Sequence, residues 1–421
     1  MSQRIKAVEI IYKASKLTLD LADRVVSDNE MLVLKSFLTN LNDHFENVLE
    51  KANKGGALIG HHFGFPGELL QCFDNVATVS FEAMPYLYSA LFPQGSEFFY
   101  DVMNSWGHPY HTCSAIKGLL GMFKEELLNF DVIATIAGPC DNGIASYPAY
   151  AELGNIPLII NDMPYPRDDR GYSYYADEFK NTIDRIGKII DQKPDYSRLK
   201  KAVEYSNKAH EYLIELNQLR RLKPCPIESM SNPMITAAHA YMSGTPQYAQ
   251  FLKECYEIAK HRAKNNIEYG NEKYRSVWPY MSIFFDFGFY EFLDQKLGLS
   301  QIIDIFNHFF FDFVSTKNTD EMILGLAKKW LEYPMVRQGQ TYVDVMIDDY
   351  VWAVNEYEID CAILTEHIGC KQLCAATQLL KEALRDEGVP MCTIEVDVGD
   401  KRFTSIGTIK HEISEFVNTL L

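Results

Sequence analysis

The sequence predicts an α/β protein, a helical leader followed by two units of alternating strands and helices. Three observations carry this expectation. Short apolar runs that end in Gly- or Pro-rich loops recur along the chain, and helix-period patterns follow them, the order expected of strand–loop–helix units around a parallel sheet. The length of 421 residues suits two or three domains of roughly 150 residues each. An apolar fraction of 47%, with 25 Tyr and 25 Phe, can fill such cores and excludes a disordered chain.

The elements follow in order. Residues 1–53 form the leader: Ile5, Val8 and Ile11 mark one amphipathic helix over MSQRIKAVEIIYKASKLTLDLADRVV, and Met31 to Leu49 a second, stopped by Gly55 and Gly56. Residues 54–222 form the first α/β domain. ALIGHHFGFPGELLQCF reads as strand, tight loop and helix start, DVIATIAGPCDNG as a buried strand and loop, and IPLIINDMPYPRDD as a third strand. Charged helix then runs from about 172 to 222, where Pro224 and Pro226 mark a break. Residues 223–421 form the second α/β domain: helix over 233–268, a strand in SVWPYMSIFFDFGF, strands in EIDCAILTEHIGCKQLC and CTIEVDVGDKRF, and a closing helix over 407–420. In such sheets, sites lie beyond the C-terminal ends of the strands.

Charge narrows the function. With 40 Lys and Arg against 57 Asp and Glu, the net charge of −17 argues against nucleic acid or an anionic membrane as partner. No apolar run reaches the roughly 18 to 20 residues that span a bilayer, and the N-terminus lacks a signal peptide's apolar core. A soluble, cytoplasmic protein is expected. No G-x-x-x-x-G-K-[ST] occurs and no G-x-G-x-x-G follows a strand, so no nucleotide site is expected.

The nine cysteines stand at 72, 113, 140, 225, 255, 361, 370, 374 and 392. An odd number in a chain without a secretion signal speaks against a disulfide framework. Cys113, Cys140 and Cys370 share one address, a loop that leads into a helix. Thiols there are expected to have lowered pKa and to ligate soft metals. Three thiolates from separate loops, with one position open, suit a [4Fe–4S] cluster that does chemistry at its fourth iron. Neither a ferredoxin run nor a paired C-x-x-C zinc pattern is present. Each cysteine taken alone reads equally well as a small buried apolar residue.

At these residues the sequence resembles the 2-hydroxyacyl-CoA dehydratase and benzoyl-CoA reductase subunits. GFPGELLQCF, HTCSAIKG, ATIAGPCDN, IDCAILTEHIGCKQ and VPMCTIEVDVGDKR carry the resemblance, in order, from about residue 55 to 415. It implies two flavodoxin-like domains with an iron–sulfur cluster in the cleft, held by Cys113, Cys140 and Cys370. It also implies a separate partner, a dimeric iron–sulfur ATPase that delivers low-potential electrons. The chain departs from the dehydratase pattern in three further cysteines, Cys72, Cys225 and Cys374. Six thiolates would serve two cubanes, which resembles the double-cubane [8Fe–9S] branch, homodimers that reduce small molecules. The first expectation is therefore an iron–sulfur oxidoreductase of that branch. The alternative is a dehydratase or reductase subunit with one [4Fe–4S] cluster and a different partner chain, hence a heterodimer. A third reading is a cluster-storage or electron-relay protein.

Cys255, Cys361 and Cys392 read as core. Glu68 heads a helix, where it caps or delivers protons near the cluster. His108 and His111 flank Cys113, and His367 precedes Cys370; His111 and His367 are the candidate proton donors. Lys371 is placed to contact cluster sulfide, and Asp397 and Asp400 to cap a turn.

Overall fold

A computed structural model describes residues 3–25, 31–279, 281–304 and 306–420. Met1, Ser2 and Val26 of the predicted first helix, and Tyr280 of the predicted strand, lie outside the described residues. Eight strands form two four-stranded parallel sheets. The first contains β1 (Ala57–His61), β2 (Val76–Ser80), β3 (Val132–Ile136) and β4 (Leu158–Asn161) in the order β2-β1-β3-β4. The second contains β5 (Tyr274–Trp278), β6 (Leu299–Asp304), β7 (Cys361–His367) and β8 (Met391–Val396) in the order β6-β5-β7-β8. Both have the flavodoxin-like order 2-1-3-4, which reverses direction beside its first strand and opens a crevice there.

The strands read as continuous apolar runs because helices cover both faces of a parallel sheet. β2, β3 and β6 are buried at every residue. The SVWPYMSIFFDFGF run is strand only over Tyr274–Trp278. Pro279 follows, and it has no N–H with which to continue the ladder. Residues Met281, Phe284 and Phe287 beyond it line the interdomain cleft.

The leader forms helices Lys6–Val25 and Leu32–Asn53. The second buries Phe37, Leu41 and Phe45 and packs on helices Ser231–Met242 and Pro246–Asn265. Helix Thr319–Leu331 follows β6 yet packs on helices Asp169–Ile189 and Tyr196–Leu219 of the first half. Arg167 reinforces this crossing, donating from Nη2 to the Val336 carbonyl (2.8 Å) and from Nε to that of Leu331 (3.1 Å). The halves divided by sequence near residue 222 are therefore interleaved in their helical layers. Among the described residues, no helix is long and apolar enough to cross a membrane.

Candidate functional site

The cleft is built from the C-terminal ends of both sheets. His62 follows β1, Glu82 follows β2 and Cys140 follows β3; Met281, Phe306 and Cys370 follow β5, β6 and β7, and all six line one cavity of about 160 Å³ together with Cys113. Most of its remaining wall is apolar, including Phe63, Tyr86, Phe284 and Met335. Such a space takes several water-sized groups and favours an apolar one.

Cys113, Cys140 and Cys370 each occupy the cap position at the start of a helix: Ser114–Lys124, Asp141–Gly154 and Lys371–Asp386. The helix N-terminus presents free N–H groups and a partial positive charge. At Cys140 this is direct, since Gly143 N–H donates to its Sγ (3.3 Å). The loops also hold one another. Asn142 Nδ2 donates to the Gly369 carbonyl (2.6 Å), tying the helix start after Cys140 to the loop that carries Cys370. A Cβ on Gly369 would stand 2.5 Å from Cys113 Cα and 2.6 Å from its backbone nitrogen, so only glycine lets these two loops touch. We expect Gly369→Ala to spread the Cys113 and Cys370 loops. Any metal that the three thiols take up on anaerobic reconstitution should then be retained at well below the parent's level while far-ultraviolet circular dichroism is unchanged. Retention equal to that of the parent would show that the contact is dispensable.

His367 is fully buried. Its Nε2 lies 3.3 Å from Cys113 Sγ and its Nδ1 lies 3.4 Å from the Val398 backbone nitrogen. Burial disfavours the charged ring, but the facing Cys113 sulfur and Asp397 outweigh it and raise His367 to about 9. Asp397 accepts from the backbone of Gly399 and Asp400 (3.0 Å each), the turn expected of it. Lys371 is exposed and pairs with Asp141 at 2.9 Å across the cleft rim.

The thiol electrostatics differ from the expectation of uniformly lowered pKa. Burial pushes Cys140 well up, and the negative charges of Cys113 and Glu82 add to the rise against the opposing Gly143 N–H. Crowded buried thiols of this kind favour a bound cationic centre, which holds such sulfurs deprotonated. Among the described residues, no group of three His, Cys, Asp or Glu could hold a single metal ion.

Other candidates lie elsewhere. Cys72 is fully buried at the end of the short helix Gly67–Leu70; its carbonyl accepts from Asp195 N–H (2.8 Å), and burial pushes its thiol up to about 12. Cys225 is buried beside Arg220 and Glu272, with its thiol donating to the Ile227 carbonyl (3.6 Å), and burial raises it to about 11. Cys374 is exposed, one turn beyond Cys370. None of these three lines the cleft, so the structure does not bring the six thiols together. His111 is exposed, with its ring against Tyr110 at 5.6 Å. Glu68 is fully buried outside the cleft, accepting from Lys329 Nζ (2.5 Å), Ser206 Oγ (2.6 Å) and Trp330 Nε1 (3.1 Å). Its position as a proton donor at the cleft is not what the structure shows, because a buried carboxylate needs these partners. Cys361 and Cys255 are fully buried, in β7 and in helix Pro246–Asn265.

Sequence reasoning missed His62 and Glu82. The Nδ1 of His62 accepts from Gly64 N–H (2.9 Å), so the neutral ring carries its proton on Nε2, and Nε2 stands 2.8 Å from Glu82 Oε2. The pair is close but not aligned as a hydrogen bond, and Glu82 Oε1 has no hydrogen-bond partner. Their signal was positional: both directly follow strands of a parallel sheet, where ligand-binding side chains collect.

Fold and cleft together define a two-sheet, flavodoxin-like α/β protein with three helix-capping cysteines between its sheets. The chain matches the family model of the 2-hydroxyglutaryl-CoA dehydratase D-component over residues 63–420, and it belongs to that family. It is also 20% identical over 313 residues to the lactoyl-CoA dehydratase subunit alpha of Anaerotignum propionicum, covering 70% of this chain and 72% of that protein.

Proposed function

We propose that this protein is the cluster-bearing subunit of a 2-hydroxyacyl-CoA dehydratase. The observation that supports this most is the meeting of Cys113, Cys140 and Cys370, each on a helix start, at one apolar cleft between the sheets. These three residues would hold one [4Fe–4S] cluster. Such a cluster supplies low-potential electron transfer and an iron site open to a substrate oxygen. The chain's own groups do the rest. The helix starts favour the negative charge of thiolates and sulfide, the apolar wall binds the acyl chain and excludes water, and His367 donates to the Cys113 sulfur. A separate iron–sulfur ATPase would deliver electrons, since no phosphate-binding loop is present in the sequence, and a second subunit would complete the cytoplasmic enzyme.

An [8Fe–9S] double cubane, with reduction of a small molecule, would need more thiols at the cleft. Cys72 and Cys225 are buried elsewhere and Cys374 does not line the cavity, which favours the single cluster. The test uses anaerobically purified protein, with its partner subunit if one co-purifies, an activating ATPase, MgATP and a strong reductant. Elimination of water from at least one short 2-hydroxyacyl-CoA is expected. Reduction of small unsaturated molecules without any such elimination would overturn the reading.

A further inference from the structure

We propose that a second pocket, set between helix Leu32–Asn53, helix Tyr196–Leu219 and the start of helix Pro246–Asn265, binds a small organic phosphate. The pocket has a volume of about 230 Å³ and shares no lining residue with the cleft. It lies against Val76 and Thr78 of β2, whereas the cleft begins beyond the other end of that strand, at Glu82. The site is therefore independent of the chemistry in the cleft.

Charge is the first observation. The chain carries 57 Asp and Glu against 40 Lys and Arg, yet this wall gathers Lys51, Arg198 and Lys201 and includes no carboxylate. Arg198 is held in place by Asp74 (3.1 Å) and by the Gln71 carbonyl, which accepts from its Nε (3.3 Å). Lys51 has no hydrogen-bond or ion-pair partner among the described residues; burial and the like charge of Arg198 hold its ammonium below the ordinary value. Cations kept together against their repulsion favour an anion between them.

His44 is the second, independent observation. It lines the same pocket, is only 6% exposed, and has no hydrogen-bond partner among the described residues. A buried polar ring without a partner is costly in free energy and is retained where a ligand meets it. Burial, with Lys51 nearby, pushes the ring down to about 3, so it is neutral and keeps one N–H to donate. The start of helix Pro246–Asn265, capped by Thr245, adds its partial positive charge. The space exceeds that of a bare phosphate, since a water takes about 30 Å³. Val48, Val76, Ala202 and the Tyr205 ring offer the remainder to a carbon body.

Calorimetric titration of the anaerobically purified protein tests this, with phenyl phosphate as the probe and phenol as its uncharged control. One phenyl phosphate per chain is expected, with a dissociation constant below about 1 mM, and no binding of phenol. Lys51→Gln and Lys201→Ala should each weaken binding about tenfold. Lys201 is exposed, so its variant keeps the fold even if the half-buried Lys51 does not tolerate change. Lys381→Ala, on a helix of the other sheet, should leave affinity unchanged. No binding up to about 10 mM, unaltered affinity in Lys201→Ala, or equal weakening in Lys381→Ala would overturn the proposal. Saturating butyryl-CoA should not displace the probe. Displacement would mean that the phosphate end of a cleft ligand reaches this pocket, and it would overturn a separate site.

Discussion

Single replacement of Cys113, Cys140 or Cys370 by Ala is expected to strip the protein of its iron. The anaerobically purified parent should carry about four iron atoms per chain, and each variant well under half of that, because a cubane with two remaining protein ligands is labile. The broad charge-transfer absorption should vanish with the metal. Cys72→Ala and Cys225→Ala should leave the iron in place, since both sulfurs are buried in separate pockets of protein: one beside the start of helix Tyr196–Leu219, the other beside Arg220. These two controls give the experiment its discrimination. A parent with about eight irons per chain, halved by Cys72→Ala, would restore the double-cubane reading against the geometry. The three variants should still fold, because each thiol sits at a helix cap and each helix keeps packing of its own: Ser114–Lys124 on helices Glu97–Ser105, Met84–Leu91 and Asp141–Gly154, Asp141–Gly154 also on β3 and β4, and Lys371–Asp386 on β7 and β8. Losing a cap costs about 1 kcal/mol, far less than the stability of a domain. Removing iron from the parent with a chelator under reducing conditions should reproduce the variants, and reconstitution should reverse the loss only in the parent.

The sequence carried local facts well and distant ones poorly, and the cysteines show why. Strand, loop, cysteine and helix lie within about ten residues of each other at Cys140 and Cys370, so their shared address was readable without a fold. Cys361 could likewise be set apart from Cys370, because it opens β7 and the loop closes it. The side on which an isolated thiol faces was not readable. Cys72 follows a helix start and Cys225 sits between two prolines, but both point into protein rather than toward the cleft. The surroundings of Glu68 were not readable for a similar reason: its partner Lys329 is 261 residues away. Strand β6 was missed because LSQIID carries Ser300 and Gln301 inside an otherwise apolar run. Their burial works only because partners arrive from elsewhere: the Ser229 hydroxyl accepts from the Gln301 backbone (2.8 Å) and Ser282 from its side chain (2.7 Å). β2 was missed because VATVS is five residues long and follows a four-residue helix, too short for any period to show. Helix Thr319–Leu331, which lies beyond the division drawn near residue 222, packs on two helices that precede it, a pairing no local pattern announces.

That crossing helix is the basis of the second large effect, expected in stability rather than in iron. Lys329→Met should destabilise the protein by about 3–5 kcal/mol in urea unfolding, because it leaves Glu68 buried without its cation. The pair is 7% and 0% exposed at its two side chains, so water cannot take the place of the lost partner. Pairing the change with Glu68→Leu should recover most of the loss, since a buried ion pair contributes little over an apolar pair of similar volume. The pH dependence separates this account from a simple packing defect. In the parent, burial pushes the Glu68 carboxyl up, but Lys329 and the Ser206 hydroxyl outweigh it and hold the group below its ordinary value of 4.5. A carboxyl lowered on folding adds stability that is fully present above its unfolded value and is lost as pH falls through the folded one. The Glu68 contribution in the parent should therefore fade only below about pH 4.5. In Lys329→Met the cation is gone and burial dominates, so the folded value is raised. The sign then reverses: the variant should be closest to the parent in acid and should fall away from it as pH rises through the carboxylate range. A stability deficit independent of pH would mean that Lys329 acts through the packing of its side chain, whose Nζ stands 5.6 Å from the ring centroids of Phe311 and Trp330, rather than through the charge of Glu68.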